Sequence, residues 1–187
     1  MIRFEPAPKP DEFETEVEQP GATWLAVPAN ASKRPKDLWS PFKPALADAF
    51  RNLCAYTAMY EPVGTVDHFV SCDEDRTRAY DWSNYRFASG WINSSKSRLK
   101  SAEVFDPFDV GDRWFEILLP SLQLVATDAV PVALRNRASF VLKWLYFRDD
   151  ERVIWQCWEW YWMYQEGELT LEGLGKKAPL IAAVVTK

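Results

Sequence analysis

The chain has 187 residues, a formal charge of −5 and a pI near 5.0, so the molecule as a whole does not attract polyanions. Hydrophobic residues make up 48% of it and ten are tryptophan, which supplies a core, excludes global disorder and fits one domain. Three widely spaced cysteines (Cys54, Cys72, Cys157) argue against a disulfide framework, no run is long and apolar enough to span a membrane, and the first residues lack the apolar stretch of a secretory signal. A cytoplasmic protein is expected.

Residues 1–20 are rich in Pro and Glu and predict an extended or partly ordered segment over the surface. Prolines 28, 35, 41 and 44 then break up regular structure, so 1–44 reads as a Pro-rich N-terminal segment. "PALADAFRNLCAYT" predicts a helix, with Leu46, Ala49, Phe50 and Leu53 at helical spacing and Pro44 at its start. "GTVDHFVS" predicts a short strand after a turn at Gly64, and "CDEDRTRAYD" a charged, solvated loop without the glycine and distal Glu of a calcium loop. "WSNYRFASGWINSSKSRLKS" begins irregular and ends helical. Two short strands, "WFEILL" and "LQLVA", flank Pro120. The last third predicts two helices: "VALRNRASFVLKWLYF", with Leu134, Ala138, Val141 and Leu145 on one side, and "DDERVIWQCWEWYWMYQEG", stopped by Gly167.

The chain's only histidine, His68, directly follows Asp67. Downstream come Asn84 in "DWSNYR" and then Asn93 and Lys96 in "GWINSSKSR". This ordered set resembles the HNH nuclease motif, the ββα-metal fold, over about residues 54–100. The resemblance implies an α+β chain in which residues 45–105 form an HNH core inside a mostly helical domain, with 106–187 as a mainly helical C-terminal part. It also implies a metal-dependent endonuclease hydrolysing phosphodiester bonds of DNA by a one-metal mechanism.

The residue types suit that chemistry. Phosphodiester hydrolysis needs an activated water and a cation against the charge of the transition state. Asp67 and Asn93 are the expected oxygen ligands of one Mg²⁺ or Mn²⁺, which prefers few protein ligands and several waters. His68, with an ordinary pKa of about 6.5, is the expected general base. By the resemblance Asn84 braces the loop and orients the histidine; an Asx-turn is the plain alternative for "WSN". From Asn84 to Lys100 the chain carries Arg86, Lys96, Arg98 and Lys100 and no acid, a local basic patch for a nucleic-acid backbone, with Lys96 the first choice for a phosphate contact.

Relatives of this motif often carry a structural zinc on two Cys-x-x-Cys pairs. The corresponding positions here are Cys54 and Thr57, and Ser89 and Ile92, with a single thiol among them. No structural zinc is therefore expected, and Tyr56, Trp91 and Ile92 are expected to pack in its place. Cys54 reads as a small buried apolar residue rather than a ligand.

Trp155, Trp158 and Trp162 recur at helical spacing in an aromatic cluster that also holds Trp160, Tyr161 and Tyr164. Core packing, an interface (an oligomer through this helix included) and base stacking are the three readings. The resemblance also extends to small nucleases that accompany ATPases in bacterial anti-phage defence, which implies an ATPase or other protein partner. Two rival functions stand beside it: a catalytically inactive binding or regulatory subunit on an HNH scaffold, and a toxin-type nuclease. RNA is an alternative substrate to DNA.

Overall fold

Phe13 and Val17 are fully buried, so the acidic N-terminus does not lie loose on the surface. In the computed structural model, which describes residues 1–145 and 150–187, Glu14–Glu18 forms a π-helical turn that runs into α1, Gln19–Ala26. The expected extended segment is thus partly helical. Phe13 and Val17 lie four residues apart, on one side of this turn, and bury together while the glutamates face water. Phe13 meets Trp82 and Tyr85 edge-on at 4.9 and 5.7 Å between ring centroids.

Helix α2, Lys43–Ala49, starts around Pro44 as expected but stops well short of Thr57. Arg51 and Asn52 adopt left-handed φ values of 56° and 53°, which ends the helix. Leu53 then bridges to Tyr60, closing a turn over "CAYT" in which Ala55 N–H donates to the Phe87 carbonyl at 2.8 Å. The helical spacing of Leu53 is real, but its burial comes from this turn.

Strand β1, Thr65–His68, pairs antiparallel with β2, Tyr85–Ala88, with Asp67 opposite Arg86 and His68 opposite Tyr85. Gly64 enters β1 under the Phe87 ring, where a Cβ would lie 2.3 Å from ring carbon, so only glycine fits. The charged loop between the strands contains 3-10 turns at Arg76–Tyr80 and Trp82–Asn84. One residue beyond β2 begins α3, Gly90–Lys96. The hairpin and α3 form a compact strand–strand–helix unit.

The predicted pair of strands after it forms a second antiparallel hairpin, β3 (Phe115–Leu118) with β4 (Gln123–Ala126). Four helices follow: α4 (Arg135–Trp144), α5 (Glu151–Gln165), α6 (Leu171–Lys177) and α7 (Pro179–Val185). Ala138, Val141 and Leu145 bury one side of α4 as the pattern predicts. The helical prediction at Tyr146 and Phe147, and the start of the next at Asp149, lie outside the described residues. Gly167, at φ 76°, terminates α5. Helix α4 packs on β4 and α7 on β3. Gln156 of α5 donates to the Tyr60 carbonyl, and Tyr60 N–H donates to Lys177 of α6, both at 2.8 Å, so the C-terminal helices hold the turn that supports the hairpin.

The chain is α+β, with seven α-helices and two two-stranded antiparallel sheets among the described residues. One contiguous hydrophobic cluster runs from Phe4 through Phe87 and Leu124 to Ile181, joining all three stretches of the chain. No helix among the described residues is long and apolar enough to cross a membrane. The core reading of the tryptophan stripe is corrected: Val153 and Cys157 bury the inner face of α5, whereas Trp155, Trp158 and Trp162 are 63%, 45% and 40% exposed. Trp158 and Trp162 stack on each other on that outer face.

Candidate functional site

Successive residues of a strand point to opposite faces, and this separates Asp67 from His68. Asp67 turns towards α3 and is buried. Its Oδ1 accepts from Lys96 Nζ at 3.2 Å and its Oδ2 from the Tyr56 hydroxyl at 2.6 Å. Lys96, also buried, donates in addition to the carbonyls of His68 (2.9 Å) and Phe69 (3.0 Å), which satisfies all three ammonium protons. Burial, and then the neighbouring Asp67 carboxylate, push the Tyr56 phenol well above its ordinary pKa, so it stays a donor.

His68 leaves the strand on the other face, towards the N-terminal part of the chain. Its ring lies edge-on to Trp39 (4.7 Å) and Tyr85 (5.0 Å). Nε2 is 2.9 Å from the Ala79 carbonyl oxygen. A carbonyl can only accept, so Nε2 carries a proton, and in the neutral ring Nδ1 then holds the lone pair. Burial holds the imidazole pKa below its usual value and the Lys96 charge acts in the same direction, against the raising influence of the Ala79 carbonyl and Asp67. The neutral ring is therefore the form at neutral pH.

Asn84 sets the position of that carbonyl. Its Oδ1 accepts from Val70 N–H at 2.8 Å, and its Nδ2 donates to the carbonyls of Val70 (2.9 Å) and Arg78 (3.1 Å). Both ends of the inter-strand loop are thus tied to one buried amide, directly beside Ala79. The Asx-turn alternative falls to Asp81, whose carboxylate accepts from Ser83 N–H. Replacing Asn84 with alanine is expected to cost about 1–3 kcal/mol for each buried group left unpaired and to shift the His68 imidazole resonances. Chemical denaturation and NMR check this; an unchanged imidazole spectrum contradicts the bracing role.

Asn93 ties α3 to β1: its Nδ2 donates to Thr65 Oγ1 (3.0 Å) and the Val66 carbonyl (3.2 Å). The structure therefore brings Asn93, Lys96 and Asp67 to one face of the hairpin, with His68 on the other. Of the four predicted basic contacts, two face inward. Lys96 is spent on Asp67, and the Arg86 guanidinium makes a bidentate pair with Asp106 (2.8 and 2.5 Å) beneath the Phe108 ring. Both expectations of a phosphate contact are corrected on this ground, because neither charge reaches solvent. Arg98 and Lys100 are exposed just beyond α3.

Two of the four zinc positions of the resemblance, Cys54 and Ser89, meet in space. Ser89 N–H donates to Cys54 Sγ at 3.5 Å, with the Ser89 hydroxyl 3.9 Å from the same sulfur. Thr57 and Ile92 are buried, as is Tyr56, while Trp91 is half-buried under the Arg152 guanidinium. A divalent ion at Asp67 and Asn93 does not fit the residues as they stand. Both carboxylate oxygens already have donors, and a cation, Lys96, already neutralises the charge.

The sequence pattern gives Tyr56 a packing role but not its hydrogen bond to Asp67, and it does not point to Asp106 or the Ala79 carbonyl. Tyr56 carried a signal, since it lies within "CAYT" at the edge of the motif; Asp106 and a backbone carbonyl carried none. No family model matches the chain, and no curated protein matches it.

Proposed function

We propose that the chain is an HNH-type endonuclease that hydrolyses phosphodiester bonds of DNA, with His68 as the general base. The observation that carries this reading is the 2.9 Å contact of His68 Nε2 with the Ala79 carbonyl oxygen, which calls for the proton on Nε2. A neutral imidazole anchored through Nε2 keeps the lone pair on Nδ1, the atom that would take a proton from an attacking water. Asn84 supports it by fixing the loop that anchors the ring, and Arg98 and Lys100 supply the charge on which a nucleic-acid backbone depends. The strand–strand–helix order and the meeting of Cys54 with Ser89 support the family resemblance.

A second reading has its own observation. The closed contact of Asp67 with Lys96 and Tyr56 favours a non-catalytic binding or regulatory subunit on the same scaffold. Incubating the full chain with supercoiled plasmid and with single-stranded RNA, in Mg²⁺, Mn²⁺ or EDTA, separates the readings. Nicking or linearisation supports the nuclease. Retention of nucleic acid with no cleavage in any condition supports the second reading and overturns the first.

A further inference from the structure

The Lys96 ammonium sits in a cage made wholly of oxygens: Asp67 Oδ1 at 3.2 Å and the carbonyls of His68 and Phe69 at 2.9 and 3.0 Å. One carboxylate oxygen and two carbonyls around one positive centre is the donor set that hard cations take. We propose that Lys96 is itself the cation of the Asp67 site, a tethered ammonium in the place where the family resemblance puts a divalent ion, and that a divalent ion reaches Asp67 only by displacing it.

Three features build this cage into the fold. Lys96 stands on the last turn of α3, one turn after Asn93, whose amide fastens the helix to Thr65 and Val66 of β1. The aliphatic stem of Lys96 is buried and its Nζ lies 5.4 Å from the centroid of the Phe69 ring, so the charge is held from a second side. On the far side of the carboxylate, the Tyr56 hydroxyl takes Oδ2 and fixes the plane in which Oδ1 meets the ammonium. A carboxylate with both oxygens engaged and its charge neutralised has little to offer a hydrated dication.

The inference does not depend on hydrolysis. It is read by Mn²⁺ binding to the full chain without substrate, using the electron paramagnetic resonance signal of free Mn²⁺, in the wild type, Lys96→Met and Asp67→Asn. The wild type is expected to show no Mn²⁺ binding that Asp67→Asn removes. Lys96→Met is expected to bind Mn²⁺ at least about tenfold more tightly and to regain thermal stability as Mn²⁺ is added. Wild-type binding that matches Lys96→Met and disappears in Asp67→Asn overturns the proposal, because the metal would then share the site with Lys96. A folded Lys96→Met protein that gains no Mn²⁺ affinity overturns it as well. Should Lys96→Met fail to fold, Lys96→Gln takes its place, and the wild type against Asp67→Asn still decides. Failure here leaves His68 untouched as a base, whereas an absence of cleavage leaves this inference standing.

Discussion

Replacing His68 with alanine is expected to lower DNA cleavage by about 10²–10⁴-fold, the usual contribution of a general base, while far-UV circular dichroism stays that of the wild type. The ring is anchored by one hydrogen bond and edge contacts to Trp39 and Tyr85, so its removal leaves the Asp67 face, the hairpin register and α3 unaltered. His68→Gln restores a polar side chain but no group that accepts a proton near neutrality, and it is expected to remain as inactive as His68→Ala. Cleavage by either variant within about tenfold of the wild type contradicts the assignment.

The other large effect lies on the opposite face. Asp67→Ala strands the Lys96 ammonium in the interior against two carbonyls and leaves the Tyr56 hydroxyl without its acceptor. Removing one partner of a buried ion pair costs about 3–5 kcal/mol. In a chain of this size that lowers the melting temperature by roughly 6–20 °C. The double replacement Asp67→Leu with Lys96→Met removes both charges and is expected to cost far less than the sum of the two single changes, since an apolar pair replaces the ion pair. Thermal melts of the two single variants and the double variant check this. Additive losses contradict the coupling of the two residues.

Much of the local structure was legible because the signals were short-range. Alternation and β-branched residues marked β1, β3 and β4, Gly167 marked the end of α5, and the apolar side of α4 buried as its spacing required. The order Asp67, His68, Asn84, Asn93, Lys96 placed all five residues on one hairpin and its following helix.

Three matters were not legible, each for a physical reason. Adjacent strand residues diverge to opposite faces, and sequence does not say what covers each face; here α3 covers Asp67 while Trp39 flanks His68. Basic residues in an acid-free run read as a surface patch, yet Arg86 finds its acid twenty residues away at Asp106 and Lys96 finds Asp67 across the hairpin. The N-terminus looked extended because Pro and Glu dominate it, while Phe4, Phe13 and Val17, widely spaced among them, pay the ordering entropy by burial in the common core.

A general-base role for His68 requires a neutral imidazole with its proton on Nε2. The chain holds one histidine, so its ring nitrogens give a single, unambiguous set of long-range proton–nitrogen correlations. At about pH 7 these are expected to show the Nε2–H tautomer, with a titration midpoint below the usual value of about 6.5 and with Nε2–H protected from exchange by the Ala79 carbonyl. Because the folded pKa is lowered, protonation as the pH falls through about 6.5 favours the unfolded chain first, and this residue's contribution to stability is lost between that value and the lower folded one. An Nδ1–H tautomer, or an imidazolium at neutral pH, contradicts that role.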